Sequence, residues 1–126
     1  MSTVKVDTLV ASDGTSPVTL TKQSAAKAWA DYDGSANSIL ASFNIASVSD
    51  NATGDFTYAW TNSFSSAYYS PVGTAGSGRA GGNTLLFISP MNGVFTSSQV
   101  RTGAVDTGGT LRDVGDNLLQ VHGDLA

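Results

Sequence analysis

The sequence predicts an all-β fold, namely a single antiparallel β-sandwich that is jelly-roll-like and has about eight strands. Apolar residues alternate with polar ones in several short runs, and clusters of turn-forming residues separate these runs. Charged residues that support surface helices are scarce: they are 13% of the chain, and all ten acidic residues are aspartates. Aspartate, serine, threonine, asparagine and glycine are poor in helix interiors, so extended structure is expected.

The 126 residues are the size of one domain. We divide them into an N-terminal arm, residues 1–23, and a sandwich domain, residues 24–126. The arm has apolar residues in alternation or in pairs, namely Val4, Val6, Leu9 and Val10, but too few to form a core of its own. It therefore lies either on a neighbouring subunit or as an edge strand on its own domain, and the sequence favours neither alternative.

The stretch from Lys27 to Thr61 holds both tryptophans and the clearest alternation. Three strand-like runs are separated by turn clusters at Asp33-Gly34 and at residues 50–54. The runs are Ala25–Tyr32, Ile39–Val48 and Asp55–Thr61. This arrangement predicts a three-stranded antiparallel meander.

The period of two assigns side chains to faces of these strands. The residues expected to share a face are Ala28, Ala30 and Tyr32 in the first strand, Ile39, Ala41, Phe43 and Ile45 in the second, and Phe56, Tyr58 and Trp60 in the third. Trp29 lies on the opposite, polar face of the first strand, between Lys27 and Asp31. It is interpreted either as a subunit contact or as a side chain half-covered by its own loops.

The second half of the chain predicts further strands and connections. They are a strand at Tyr68, Tyr69 and Val72 interrupted by Pro71, a glycine-rich loop at Gly73–Asn83, a buried central strand at Thr84–Ser89, a turn at Pro90–Gly93, a strand at Val94–Val105 and a last strand at Asn117–His122. In the last strand, Leu119 and Val121 share a face.

No motif indicates catalysis, a metal site or a cofactor. The loop from Gly73 to Ala80 lacks the Lys and Ser/Thr of a phosphate-binding loop, and no helix is expected after it. The sequence contains no G-x-S-x-G motif, so nothing indicates that His122 acts as the base of a serine nucleophile. The aspartates occur mainly in turn contexts and match no calcium loop. We therefore expect no enzymatic activity, no bound metal and no cofactor.

Composition also restricts the partners. The net charge of −4 argues against binding to nucleic acid or to an anionic membrane surface. No apolar run approaches the length of a membrane span, and the absence of cysteine excludes disulfides. Sugar binding by a platform of Tyr58, Trp60, Tyr68 and Tyr69 stays open, although the same pattern is typical of a sandwich core.

Three segments, AKAWADYDGSANS, SFNIASVSDNATGDFTYAWTNSF and AYYSPVG, resemble a module that recurs in virion proteins of tailed bacteriophages, particularly those of marine and cyanobacterial hosts. The matching positions are Lys27-Ala28-Trp29, Tyr32, Gly34, Ser42-Phe43-Asn44-Ile45, Ser47-Val48, Asp50-Asn51, Thr53-Gly54-Asp55-Phe56 and Ala67-Tyr68-Tyr69. The resemblance extends over roughly Val4 to Gly73. It implies a sandwich and carries over no catalytic residue.

The module resembles both the distal domains of tail fibres and spikes and the small trimeric cement proteins of capsids. A fibre also needs a shaft, for which one arm and one sandwich leave no residues, and an acidic protein suits the outside of a shell. We therefore expect a homotrimeric cement protein that binds the major capsid protein on the outer capsid surface after assembly in the host cytoplasm. The predicted interface residues are Val4, Val6, Leu9, Val10, Trp29, Tyr68 and Tyr69. The alternatives are a fibre tip that binds host glycan and a small glycan-active enzyme.

Overall fold

The computed structural model describes residues 25–76 and 86–126. The predicted arm contacts Val4, Val6, Leu9 and Val10, and the part of the glycine-rich loop from residue 77 onward, lie outside the described residues. The described residues form eight strands and no helix. The strands are β1 (Ala28–Asp33), β2 (Ser38–Phe43), β3 (Ile45–Ala52), β4 (Asp55–Trp60), β5 (Ser70–Gly76), β6 (Leu86–Thr96), β7 (Gln99–Asp106) and β8 (Asp116–His122). The all-β prediction is confirmed.

The strands are hydrogen-bonded in the order β2-β1-β8-β5-β6-β7-β4-β3, and every pairing is antiparallel. This ribbon of strands folds back on itself. Tyr32 of β1 packs edge-on against Phe56 and Tyr58 of β4, with ring centroids 5.1 and 6.0 Å apart, although β1 and β4 are not neighbours in the order. The layer β2-β1-β8-β5 therefore faces the layer β6-β7-β4-β3, and the core lies between them.

The core is built from alternate residues of the four inner strands, as a period of two requires. The buried positions are Ala28, Ala30 and Tyr32 in β1, Phe56, Tyr58 and Trp60 in β4, Val100, Thr102 and Ala104 in β7, and Asn117, Leu119 and Val121 in β8. The predicted faces of the first, third and last strands are therefore confirmed. The positions between them are at least partly exposed, except for Gly103, which is buried.

The predicted meander is wrong in one respect, because Ile39–Val48 is not a single strand. Asn44 interrupts it with a φ of 58°, in the left-handed region that asparagine tolerates better than most residues. The chain passes there from β2 in one layer to β3 in the other. Ile39 and Ile45 consequently belong to different layers and do not share a face.

The predicted turn at Pro90–Gly93 is also wrong. Strand β6 continues to Thr96, and the reversal into β7 occurs at Ser97-Ser98. The register passes from Pro90 opposite Thr102 to Phe95 opposite Val100, so residues 91–94 lie opposite the single residue Arg101. Turn-forming residues here produce a bulge of several residues within a strand, which local sequence does not distinguish from a hairpin turn.

Candidate interaction surface

The outward side of the layer β2-β1-β8-β5 exposes four large apolar side chains. They are Trp29, Phe43, Val72 and Leu118, and between 38% and 53% of the surface of each residue is exposed. We call this set the apolar face. Surfaces of this kind, where apolar side chains are grouped rather than scattered, mark sites of interaction.

The strand register brings these residues together. Trp29 lies opposite Phe43 of β2 on one side and opposite Gln120 of β8 on the other. Gln120 in turn lies opposite Val72 of β5, and Leu118 lies opposite Thr74. Directly paired residues project from the same side of a sheet, so the four apolar side chains belong to one continuous outer surface.

A depression of about 570 Å³ lies at the centre of this surface. Its walls combine the apolar side chains of Trp29, Val72 and Leu118 with the polar residues Asp31, Thr74 and Gln120, and the rest of the lining is Ala30, Gly73 and Leu119. The volume falls within the range of small-molecule sites, and an apolar lining with a few polar groups is their usual composition.

Strand β2 adds an open apolar edge beside this face. All six of its residues are exposed, including Ile39 and Leu40, and among the described strands it pairs with β1 alone. A bulge next to Leu40 shifts the register, since Asp31 lies opposite Ala41 while Tyr32 lies opposite Ile39. An exposed edge with free backbone groups is a site where another strand can be added.

The predicted interface residues of the sandwich have three different environments. Trp29 lines the depression. Tyr68 is 96% exposed in the connection before β5 and is not part of the lining. Tyr69 is only 7% exposed, so it packs within the subunit and has little surface to offer a neighbour.

The environment of Tyr69 explains its burial. Its ring stacks on Phe64 and on Phe95, with centroids 4.5 Å apart in each case. Its hydroxyl donates to the carbonyl oxygens of Thr96 and Gln99, 2.9 and 2.8 Å away, at the start and the end of the β6–β7 turn respectively. Burial raises the pKa of Tyr69 to about 12. The tyrosine therefore stabilises the hairpin rather than presenting an aromatic surface.

The proposed sugar platform is not formed, because Tyr58, Trp60 and Tyr69 are all buried in the core. Tyr58 is so strongly desolvated that its pKa is raised well above the ordinary value. Of the four aromatic residues in that hypothesis, Tyr68 alone is exposed. The core-packing alternative is the correct one for the other three.

Sequence reasoning missed Phe43, Val72 and Leu118. A signal for Leu118 was present, because Leu119 and Val121 fix the inner face of the last strand and leave Leu118 outside. Phe43 was assigned to a face with Ile39 and Ile45, but the bulge at Leu40 separates it from Ile39 and the break at Asn44 separates it from Ile45. The placement of Val72 next to Leu118 and Trp29 depends on strand order, which the sequence did not reveal.

Several aspartates have structural roles. The Oδ1 atom of Asp33 accepts hydrogen bonds from the backbone N–H groups of Ser35 and Ala36, each 2.9 Å long, and from the Ser35 hydroxyl, and these bonds lower the pKa of Asp33, the hydroxyl bond most. Asp106 closes its loop in the same way by accepting from Gly108 and Thr110. These two aspartates are turn-forming residues, as predicted.

Asp55 has a different function, since it forms a nearly buried ion pair between β4 and β7. Its Oδ1 accepts a hydrogen bond of 2.7 Å from Nε of Arg101, and its Oδ2 accepts a second bond from Nη2. The side chain of Asp55 is 6% exposed and that of Arg101 is 27% exposed. The bond to Arg101 lowers the pKa of Asp55. The pair joins adjacent strands, and the carboxylate has little exposed surface.

Among the described residues, no three acidic, histidine or cysteine side chains are grouped so that they could hold a metal ion. The described part of the chain also contains no helix with the length and apolar character needed to cross a membrane. Comparisons of the sequence and structure with protein-family models, curated proteins and solved structures found no match. Within the described residues, the apolar face is a feature from which a function can be argued.

Proposed function

We propose that this protein is a structural component of a bacteriophage virion, a trimeric cement protein on the outer capsid surface. The observation that supports it most directly is the apolar face, because four large apolar side chains on one sheet surface need a protein partner to cover them. The resemblance of the chain from about Val4 to Gly73 to a phage virion module indicates that the assembly is a virion.

The resemblance is consistent with a role in assembly, because its motif residues hold the framework together. Asn44 forms the corner between the layers, and Asp55 pairs with Arg101. Gly54 has a φ of 64° and donates a hydrogen bond of 2.6 Å from its N–H to Asp113. These residues preserve a shape rather than a reaction centre, so the surfaces that this shape presents are what the module contributes.

Cementing would follow from buried area. A subunit that binds across the junction between two capsomers must be removed before either capsomer can leave, so its binding free energy adds to the stability of the shell. The apolar face supplies area between copies of the protein. The net charge of −4 agrees with a place outside the shell, away from packaged nucleic acid.

The copy number in purified virions tests this proposal. A cement protein is expected in hundreds of copies, because capsomer junctions repeat over the whole shell. Quantitative mass spectrometry against the major capsid protein measures the ratio. A handful of trimers per virion would contradict cementing and would point to the tail.

A second candidate function is the receptor-binding tip of a tail fibre or spike, and the composition of the depression favours it. Trp29 offers an aromatic surface, and Thr74 and Gln120 provide polar groups beside it. Aromatic rings with a few polar groups are the usual elements of a saccharide site. Titration with host surface polysaccharide, followed by tryptophan fluorescence, tests this function. Saturable binding that Trp29→Ala abolishes would support it, and no response in the intact protein would exclude it.

The third alternative, a small glycan-active enzyme, predicts turnover of the same polysaccharide. Release of reducing ends measures it. Turnover that is lost on Asp→Asn substitution would replace the cement proposal, whereas intact polysaccharide after prolonged incubation would remove the enzyme from consideration.

A further inference from the structure

We propose that the apolar face binds the N-terminal segment, residues 1–24, of a neighbouring copy of this chain. The inference rests on the proposed function, since it supplies the contact that would join the copies in the trimer. Three features lead to it: the chemistry of the face, the pattern of the segment and the direction in which the chain enters β1.

The face requires an occupant that is apolar on one side. Trp29, Val72 and Leu118 line the depression, while Phe43 and the edge strand β2 continue the apolar surface beside it. An extended peptide satisfies both parts, because its side chains enter the depression and its backbone can pair with the open edge.

The N-terminal segment has the matching pattern. Val4 and Val6 alternate with Thr3 and Lys5, and Val18 and Leu20 alternate with Thr19. In extended conformation such a pattern places the apolar side chains on one side and the polar ones on the other. A strand with one apolar side cannot bury that side by itself and needs a surface such as the apolar face.

The direction of the chain favours a neighbour over the same subunit. The N–H of Lys27 donates to the carbonyl oxygen of Val121 with a length of 2.8 Å, so the chain still runs along β8 at this residue. To reach its own face, the segment would have to reverse shortly before it. Residues 21–27 read TKQSAAK, in which Ser24 is the one residue of a type that favours tight turns, and glycine, proline, asparagine and aspartate are absent.

The segment is long enough for such a contact. Fully extended, 24 residues span at most about 80 Å, which exceeds the dimensions of one small domain. Val4 and Val6 are therefore placed far enough along the chain to reach the face of an adjacent copy.

Trp29 provides an optical test in the full chain. The sequence has two tryptophans, so a Trp60→Phe background leaves Trp29 as the sole reporter. We expect Trp29 to be shielded from iodide in this background, and Val4→Asp to remove the shielding. Self-association measured by analytical ultracentrifugation should weaken by at least about 30-fold, the effect of losing one buried anchor.

Thr3→Asp is the matched control, because it adds the same charge at the adjacent position on the opposite side of the alternation. It should leave both the shielding and the association unchanged. An accessible Trp29 in the parent background would contradict the proposal. So would equal effects of Val4→Asp and Thr3→Asp.

Cysteine cross-linking tests the partner without relying on the Trp60 variant. The chain has no native cysteine, so chains carrying Val6→Cys can be mixed with chains carrying Leu118→Cys and oxidised. We expect a disulfide-linked heterodimer in preference to either homodimer. Ser49→Cys, exposed on β3 in the other layer, replaces Leu118→Cys in the control mixture and should give cross-links at chance level.

A double variant, Val6→Cys with Leu118→Cys, distinguishes exchange from folding back. An intrachain disulfide at high dilution would overturn the assignment to a neighbouring copy. Preferential Leu118–Leu118 cross-links would do so as well, because they indicate that two faces pack directly together. Disulfides between copies, which give linear oligomers or closed rings, would support the assignment.

Failure of this inference and failure of the proposed function give different results. A protein present in hundreds of copies per virion, but with Trp29 accessible, would remain a cement protein without segment exchange. If copies that exchange their N-terminal segments were found only in the tail, this inference would hold and the cement proposal would be contradicted.

Discussion

Asn44 shows how much of the architecture one residue controls. Its Nδ2 donates hydrogen bonds to the carbonyl oxygens of Lys27 and Asn62, at 3.0 and 3.1 Å, and its Oδ1 accepts one of 2.7 Å from the N–H of Asn62. The side chain thereby joins the segment before β1 to the segment after β4 at the point where the chain changes layers. This position requires a left-handed backbone conformation and also side-chain hydrogen bonds, and asparagine provides both.

We expect Asn44→Ala to lower the free energy of unfolding by about 3 kcal/mol, since alanine disfavours the left-handed region and makes none of the three side-chain bonds. Asn44→Gly separates the two causes, because glycine accepts the backbone conformation and should cost about 1 kcal/mol less. Urea denaturation measures both. Equal losses for the two variants would show that the backbone conformation contributes nothing.

Asp55 gives a pH-dependent prediction at the same scale. Its folded-state pKa is lowered by Arg101, so the ion pair stabilises the fold fully above the unfolded pKa of about 3.9. That stability is lost as the pH falls through the lowered folded pKa, because the unfolded state then binds more protons. Asp55→Asn should cost about 2 kcal/mol at pH 7 and should flatten the decline below about pH 4.

Asp124→Asn is the control for Asp55→Asn, since it makes the same charge change at an exposed position. It should change stability little and preserve the acid dependence. Chemical denaturation at several pH values between 7 and 2 measures the two profiles. An unchanged acid branch in Asp55→Asn would refute the assignment of this dependence to the ion pair.

At the scale of elements, the β3–β4 hairpin depends on contact with the loop before β8. Gly54 accepts a hydrogen bond of 2.8 Å from the N–H of Ala104, and Asp113 accepts one from the N–H of Gly54. The N–H of Arg112 donates to the carbonyl oxygen of Ala104 at 3.0 Å. The hairpin, β7 and the loop therefore meet with their backbones in contact, which leaves no room for a side chain.

Gly54→Ala tests this close approach. The new Cβ would collide with backbone atoms of Arg112 and Ala104, and the alanine would also have to adopt a φ of 64°. We expect a loss of about 3 kcal/mol. Gly109→Ala is the matched control, because Gly109 has a φ of 81° but no atom near the position of a Cβ, and should cost about 1 kcal/mol. Similar melting temperatures of the two variants would contradict the steric contribution.

At the scale of the whole molecule, the two layers have unequal surroundings. They share a core of interlocking aromatic rings, in which Trp60 packs edge-on against Phe64 and Tyr69 with centroids 5.5 and 5.8 Å apart. The layer that contains β1 and β8 also exposes the apolar face on its outer side. Stability therefore resides between the layers, and assembly is expected on the outside of one of them.

This separation predicts that assembly can be disrupted without unfolding. Leu118→Asp places a charge on the apolar face at a side chain that is already partly exposed, so the melting temperature should change little. Binding to capsids stripped of the protein should weaken by about tenfold or more, as measured by co-sedimentation. Ser49→Asp, on β3 of the other layer, should bind as the parent does. Unchanged capsid binding of Leu118→Asp would show that cementing does not depend on the face.

The sequence by itself determined the local properties of this protein. Alternation placed Tyr32, Phe56 and Leu119 in the core and Trp29 outside it, because the side chains of a strand project to alternate sides whatever the strand's neighbours are. Turn chemistry identified Asp33 as a residue that closes a loop. Composition predicted extended structure, because residues that are poor in helix interiors dominate the chain, and the described residues contain no helix.

Tertiary structure decided the long-range relations. The break at Asn44 and the bulge after Pro90 arise where the chain must change layer or register, and the same local residues also occur in ordinary strands and turns. The apolar face exists because β5 lies beside β8 and β8 beside β1, although these strands are distant in the chain. Strand order depends on the total burial that each arrangement achieves, and a local pattern does not encode that sum.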